Sequence, residues 1–296
     1  MKRLPVSVIV LTYNEEANLP ACLDSVAAWA GELIVVDSGS TDQTVAIARR
    51  YTEQIVEHPF ENYAAQRNWA QTTLALAHPW VFHLDADERV TPELAASIQH
   101  FFASGADQRW TGAMASRRTI FMGRAIMHGG HYPVYHLRLF RHDRGRCEDR
   151  LYDQHFLVDG PTTRLHGDLI DIITSDLGIW TQRHNRWAAL EAQEYLASAT
   201  QDQAARRLVR AQLTGNPIER RRWLRGSYGR APLFLRAFGY FLVRYLLRLG
   251  FLDGTEGLIF HFLQGCWYRF LVDAKIYEAR QRQSRALQSP DQMRWN

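Results

Sequence analysis

The sequence predicts an α/β protein, a mostly parallel sheet with flanking helices followed by a helical C-terminal region, and two observations carry that reading. Three short apolar runs rich in β-branched residues, Val6 to Leu11, Leu33 to Asp37 and Trp80 to Asp85, are separated by helical patterns, as in a parallel sheet covered by helices. Each run then hands over to a polar loop, and in open α/β sheets the ligand crevice lies at such strand ends.

The elements follow in order. A helix starting near Glu16 carries Leu19, Cys22, Leu23 and Val26 at three- and four-residue spacings, so one of its faces is apolar. Ser40-Thr41-Asp42 supplies N-cap oxygens for the next helix, and Gln66-Arg67-Asn68 lies on a helix ahead of the Trp80 run. Thr91-Pro92-Glu93 opens another helix, with Thr91 as cap and proline in the first turn. From Trp110 to about Asp159 the pattern turns β-like, in Trp110 to Ile120 and Tyr135 to Arg141, and residues from His184 to about Leu213 read as helix. Long apolar stretches, Pro232 to Leu252 and Leu258 to Val272, come next, and the last fifteen or so residues read as a frayed polar tail. We therefore expect a ligand-binding catalytic domain over 1–180 and a helical region with basic amphipathic segments over 181–296.

Composition narrows the function. A chain of 296 residues that is 46% hydrophobic can bury a substantial core. Cys22, Cys147 and Cys266 are odd in number and far apart, which gives neither a disulfide framework nor a zinc site and fits a reducing, cytosolic setting. The Met-Lys-Arg start runs through Pro5 into the first apolar run, which reads as a strand and not as a signal. The net charge of +4 is uneven: Arg206 to Arg248 holds eleven arginines against one acid, Glu219, leaving 24 of the 35 basic residues and 30 of the 31 acidic ones elsewhere. Such a segment suits nucleic acid, anionic lipid or a phosphorylated substrate. An RNA-binding reading leaves the acidic strand ends unexplained, so nucleic acid is not the expected partner.

The chemistry concentrates at those strand ends. Thr12-Tyr13-Asn14-Glu15 closes the first run, Asp37-Ser38-Gly39-Ser40-Thr41-Asp42 the second, and Asp85-Ala86-Asp87 the Trp80 run. Two carboxylates at i and i+2 on a tight turn can direct oxygens to one divalent cation, and Mg²⁺ or Mn²⁺ prefers such ligands together with substrate phosphates. The ion would neutralise a departing diphosphate. Asp37 could hold a ring N–H or a ribose hydroxyl. A dehydrogenase would need a glycine-rich turn after the first strand, and Thr12 to Glu15 contains no glycine.

In that order, Val6-Ser7-Val8-Ile9-Val10-Leu11-Thr12-Tyr13-Asn14-Glu15, Val35-Val36-Asp37-Ser38-Gly39-Ser40-Thr41-Asp42 and Leu84-Asp85-Ala86-Asp87-Glu88 resemble family 2 of the inverting glycosyltransferases with the GT-A fold, within it the lipopolysaccharide-core and cell-surface glycan branch. The resemblance implies that Thr12, Tyr13, Glu15 and Asp37 hold the nucleobase and ribose, with Ala86 in the donor-binding set. It sets Arg67 by the phosphates, Asp85 near the ribose or metal, and Asp87 on the metal. The resemblance further implies a nucleotide-sugar donor, most commonly of UDP, and a lipid-linked glycan as acceptor.

Inverting transfer also needs a general base. The resemblance implies a His-Glu pair near the place of Asp153-Gln154, and glutamine cannot accept the proton. Asp153 is the favoured base, with Asp149 or Glu148 as alternatives, although Glu148 reads better as part of a surface turn. A degenerate, non-catalytic binding protein is the rival reading. His128, His131 and His136 match no zinc spacing and fit sugar or phosphate contacts in an acceptor loop, which Gly129-Gly130 would bend sharply or let move.

In the C-terminal region Arg236, Arg244 and Arg248 fall within an arc of about 120° at 100° per residue, leaving a wide apolar face. This predicts a helix in the membrane interface with arginines towards lipid phosphates, reinforced by Arg220-Arg221-Arg222 and Arg225, with Trp267, Tyr268 and Arg269 at headgroup depth. The expected setting is peripheral, on the inner face of the cytoplasmic membrane. The alternative is that these stretches pack on each other or in a homo-oligomer.

Overall fold

The structure is a computed structural model that describes residues 3–150, 153–174, 176–197, 212–214 and 217–287. Its centre is one nine-stranded sheet of order β3-β2-β1-β4-β8-β6-β11-β5, with β7 paired to β6. The apolar runs form β1 (Val6–Thr12), β2 (Glu32–Asp37) and β4 (Trp80–Asp85), with short β3 (Ile55–Glu57) at the edge. These four are parallel: Thr12 lies opposite Asp37, and Leu11 opposite both Val36 and Asp85. The side chains of β1, β2 and β4 are buried on both faces, so these runs are largely apolar instead of alternating.

The second half mixes directions. β6 (Gly112–Phe121) and β8 (Val134–Arg141) run antiparallel to each other, and β11 (Thr162–Ile173) runs parallel to β6. β5 (Glu88–Val90) pairs antiparallel with β11, β7 (Arg124–Ala125) folds back on β6, and β9 (Gly145–Cys147) with β10 (Phe156–Val158) makes a separate hairpin. Strand β11 escaped the sequence reading because the register shifts between Arg164 and Asp168, and this bulge breaks the period of two that marks a strand. Gly167 sits in the bulge at φ 90°, where a Cβ would stand 2.3 Å from the Leu94 backbone nitrogen.

Two cores cover the sheet. On one face α1 (Leu19–Ala27) and α4 (Pro92–Ala103) bury Leu23, Val26, Leu94 and Ile98 against Val8, Val10 and Phe82. On the other, α3 (Tyr63–Thr73) buries Ala64 and Ala70 near Ile9, Val81 and Phe140. The Thr91 cap matches its sequence signal, with Thr91 Oγ1 accepting from the Leu94 amide at 3.2 Å, and Asn62 Oδ1 caps α3 by accepting from the Ala65 amide at 2.9 Å. Helix α2 (Thr44–Ala48) starts later than expected, with the Asp42 carboxylate accepting from the Thr44 amide at 3.0 Å.

The C-terminal region contains α5 (Leu177–Ala197), α6 (Pro217–Gly229), α7 (Leu235–Leu242), α8 (Gly254–Phe262) and α9 (Tyr268–Leu287). The expected helix to about Leu213 ends among the described residues at Ala197, and the polar tail from residue 288 lies outside them, as do the side chains of Arg221, Arg222 and Arg225. A π-helical turn, Val243–Leu247, follows α7, and another, Leu263–Trp267, joins α8 to α9. No helix among the described residues is long and apolar enough to cross a membrane.

One expectation is reversed here. Arg236 is buried and forms an ion pair with Asp273, while Arg244, also buried, donates from Nε to the Gly129 carbonyl at 2.9 Å. Neither faces outward towards lipid phosphate, because a buried guanidinium needs acceptors and finds them inside. The outward face is instead apolar: Leu235, Phe238, Leu242, Leu246 and Leu247 are all at least half exposed, up to 78% for Leu247. Tyr268 is likewise fully buried, its hydroxyl donating to Glu191 at 2.8 Å, and so lies away from any headgroup layer.

Candidate active site

Parallel pairing sets the ends of β1, β2 and β4 side by side, so their three loops meet in one crevice. The first two loops are laced together. Asn14 Oδ1 accepts from the Thr41 amide at 2.8 Å, and the amides of Asn14 and Glu15 donate to Ser40 Oγ and Thr44 Oγ1, each at 2.8 Å. Asn14 adopts a left-handed φ of 51°, which asparagine tolerates and which exposes the neighbouring Tyr13 ring. Asp37 is buried; one carboxylate oxygen accepts from the amides of Gly39 and Ser40, and the other from Ser40 Oγ at 2.5 Å. It therefore shapes the second loop, and a ligand would have to use its remaining lone pair. Thr12 is buried with its hydroxyl unpartnered, and burial raises the carboxyl of Glu15, which accepts from Asn18 Nδ2 at 2.7 Å.

Asp85 sits in a charged cluster. Arg67 Nη2, from α3, reaches its two carboxylate oxygens at 3.0 and 2.9 Å, and Arg138 Nη2 approaches at 3.4 Å. Burial opposes the charge on Asp85, but the two guanidinium groups hold its carboxyl far below the usual range. Arg138 is the unpaired residue of a bulge, since Ala113 lies opposite Leu139 and Met114 opposite Leu137, and the bulge turns it onto Asp85 and Glu88. Glu88 closes the cluster, accepting from Arg138 and from the Asp85 amide, and burial pushes its carboxyl up to about 7. Arg67 thus engages the motif carboxylate instead of standing free for phosphates.

Asp87 differs from Asp85. No hydrogen bond or ion pair from another described residue reaches its carboxylate, and burial, then Asp171, Asp85, Glu88 and Glu15, raise it well above the ordinary range. Asp171 arrives by the pairing of β5 with β11, opposite Glu88, and accepts from Thr119 Oγ1 at 3.2 Å with Arg117 Nε at 3.7 Å. A carboxylate crowded by others and without a cationic partner of its own, as Asp87 is, has the donor chemistry that Mg²⁺ or Mn²⁺ takes. Among the described residues no group of three or more His, Cys, Asp or Glu is arranged to hold a metal by itself. Mg²⁺ is commonly held by one or two carboxylates and completed by water and substrate phosphates, so the residues fit an ion that arrives with its substrate.

The base candidates lie on and beside the β9–β10 hairpin. Glu148 is buried and not on a surface turn, as the sequence reading had it: it accepts from the His155 amide at 3.2 Å and lies 3.5 Å from His155 Nδ1. Asp149 is exposed, and Asp153 holds a left-handed φ of 55° with its carbonyl 3.0 Å from His155 Nδ1. Gln154 donates to the Arg150 carbonyl at 2.8 Å, and Arg150 pairs with Glu194 of α5 at 2.5 Å. Residues 151 and 152 lie outside the described ones.

The loop carrying His128 to His131 is bolted to the C-terminal helices. The amides of Met127 and His128 donate to Asp253, His128 Nδ1 lies 2.6 Å from the same carboxylate, and the Gly129 amide donates to the Arg248 carbonyl at 2.8 Å. Both glycines have φ near 68°, and a Cβ on Gly129 would fall 2.2 Å from the His261 ring, so the sharp bend requires glycine. His131 Nε2 lies 3.0 Å from Thr119 Oγ1, which links this loop through Thr119 to Asp171. Sequence reasoning missed Glu88, Arg117, Arg138 and Asp171 because their roles depend on strand pairing, and only the position of Glu88 directly after the motif hinted at one.

The fold and this crevice define a glycosyltransferase of the α/β class. The model described as glycosyl transferase family 2 matches residues 7–151, and these residues form a domain of that family. It is 26% identical over 288 residues to the lipopolysaccharide core biosynthesis glycosyltransferase LpsC of Rhizobium meliloti, covering 93% of each chain. It is 37% identical over 105 residues to an uncharacterized glycosyltransferase of Rickettsia bellii, covering 36% of this chain and 35% of that one. Among solved structures, glucosyl-3-phosphoglycerate synthase from Mycobacterium tuberculosis, in complex with Mn²⁺ and UDP-glucose, overlaps 38% of this chain and 43% of that one at 22% identity and a TM-score of 0.32. That overlap is too loose to transfer a ligand.

Proposed function

We propose that the protein moves a sugar from a nucleotide diphosphate sugar to a lipid-linked or lipopolysaccharide-type glycan, with inversion and with help from Mg²⁺ or Mn²⁺. The observation that carries this reading is Asp87, a carboxylate at a strand end with other carboxylates beside it and no cationic partner. Bound there, a divalent cation would neutralise charge on the leaving diphosphate. Asp87 would hold it, with Asp85 in support while Arg67 and Arg138 fix the orientation of Asp85. The ring of Tyr13, the unpartnered hydroxyl of Thr12, and Glu15, Asp37 and Ala86 would form the donor's base and ribose pocket. Asp153 would take the proton from the acceptor hydroxyl as it attacks the anomeric carbon opposite the diphosphate, with Asp149 as the other candidate.

The acceptor reading rests on the similarity to LpsC, whose name assigns it to lipopolysaccharide core biosynthesis, and on the outward apolar face of α7 and the turns after it. Leu235, Phe238, Leu242 and Leu246 form a helical stripe, joined by Leu249, Phe251, Leu252, Leu258 and Phe262. The exposed arginines Arg220, Arg230 and Arg248 belong to the same basic segment, and apolar residues with cationic neighbours suit an anionic bilayer surface. We therefore assign a peripheral position on the cytoplasmic membrane, where a lipid-linked acceptor is presented.

Calorimetry with UDP, GDP and dTDP, each with Mn²⁺ or EDTA, tests the donor site. Binding of one of them that needs Mn²⁺ and is lost in Asp87→Ala supports the reading. Nucleotide binding that ignores Mn²⁺ and Asp87 contradicts it, and points to the degenerate binding protein that Gln154 raises.

A further inference from the structure

Among the described residues near the strand ends, Arg183 forms no ion pair with any carboxylate. Glu15, Asp85, Asp87, Glu88 and Asp171 act on one another at the strand ends. Three arginines answer them: Arg67 and Arg138 pair with Asp85 and Glu88, and Arg117 approaches Asp171. Five carboxyl groups face three guanidinium groups, an acidic excess that a divalent cation would relieve. A donor then brings further negative charge in its diphosphate, and the three paired arginines are already engaged.

Arg183 is placed to meet it. It lies in the second turn of α5, the helix that follows β11, and the junction before that helix is tied to the first loop where Asn18 Nδ2 donates to Thr174 Oγ1 at 3.0 Å. The side chain is half-buried, with its guanidinium carbon 5.2 Å from the centre of the Trp187 ring. Its Nε is buried without a hydrogen-bond partner, and no carboxylate among the described residues forms an ion pair with it. Its charge acts on Glu15, from the β1 loop, and on Tyr63, from α3, while Tyr63 also feels Asp85 and Asp87. Arg183 therefore stands on the side of Glu15 and Tyr63, and a half-buried guanidinium whose Nε is buried and which has no acid beside it calls for an anion.

We propose that Arg183 binds the diphosphate of the donor, reaching the crevice from the C-terminal helical region. This rests on the nucleotide-sugar reading given above. The assignment makes α5 part of the donor site, so residues beyond the family match at 7–151 complete it.

The test is titration of wild type, Arg183→Gln and Arg183→Lys with UDP, UMP and uridine in the presence of Mn²⁺, repeated with the guanine and thymine series. Arg183→Gln keeps most of the stem over Trp187 and removes the charge, and a thermal melt of each variant checks folding. The expected result is a loss of about ten- to hundredfold in affinity for the diphosphate in Arg183→Gln, the scale of a lost charge-assisted hydrogen bond. The nucleoside should lose less than about threefold on the same scale, and Arg183→Lys should recover part of the diphosphate affinity. Equal losses for nucleoside and diphosphate, or no loss for either, would overturn the assignment while leaving the donor reading intact. If wild type binds no nucleoside diphosphate, the donor reading fails, and the assignment with it.

Discussion

Arg67 and Asp85 form a two-oxygen contact, one Nη2 lying 3.0 and 2.9 Å from the carboxylate oxygens, between a helix on one side of the sheet and the motif that ends β4. The pair is largely buried, so its members depend on each other. Removing one partner of such a pair costs about 3–5 kcal/mol, because the remaining charge stays desolvated. Arg67→Met should lower unfolding free energy by about that amount, and Arg67→Met with Asp85→Asn should recover part of it. Urea denaturation of the two single variants and the double variant measures the coupling.

The cluster also sets a pH dependence, with opposite signs at its two ends. Burial raises Glu88 to about 7, so between an ordinary glutamate value of about 4.3 and that figure the folded state binds more protons than the unfolded one. Its contribution to stability is therefore complete below that window and is lost as pH rises through it. Asp85 is depressed, so its contribution is present above an ordinary aspartate value of about 3.9 and is lost only in stronger acid. Glu88→Gln should flatten the stability profile between about pH 4.5 and 7 and leave the acid limb in place. An unchanged slope there would contradict the assignment of Glu88.

Protons should compete with metal at Asp87. Its carboxyl is raised by burial and by Asp171, so Mn²⁺ affinity is expected to increase with pH above the ordinary carboxylate range. Asp171→Asn removes one repelling charge and should shift that rise to lower pH, measurable by Mn²⁺ electron paramagnetic resonance.

Asp153→Asn should lower kcat by about a hundredfold or more, the scale of lost general-base catalysis, while nucleotide affinity stays near wild type. Asp149→Asn is the control on the neighbouring loop. If Asp149→Asn carries the loss instead, the base is reassigned within the hairpin.

The membrane reading predicts that Leu247→Glu and Leu235→Glu abolish co-flotation with anionic vesicles while unfolding free energy moves by no more than about 0.5 kcal/mol, since both side chains are mostly exposed. Buried Arg244→Ala should instead destabilise the protein and loosen the Gly129 loop. Retained flotation in both leucine variants, with dimerisation lost, would favour a self-association surface.

What the sequence made legible was local. The β1, β2 and β4 runs, the stripe Leu19-Cys22-Leu23-Val26 and the cap at Thr91 are readable because each depends on neighbours in the chain, and all form as their patterns demand. The meeting of the three loops was readable too, since parallel strands place their ends together. Arg138 and Asp171 were not, because a bulge and an antiparallel pairing more than eighty residues distant bring them to the motif. The helical face was misread for a related reason: periodicity groups Arg236 with Arg244 but cannot say that Asp273 and Gly129 wait inside the protein for them.

The most direct measurement is release of nucleoside diphosphate from a panel of UDP-, GDP- and dTDP-sugars, with membrane extract as acceptor and with Mg²⁺, Mn²⁺ or EDTA present. Release from one donor that requires metal and is lost in Asp87→Ala is the predicted result. Turnover that persists in EDTA and in Asp87→Ala, or its absence with every donor and metal, would contradict a metal-assisted transferase centred on Asp87.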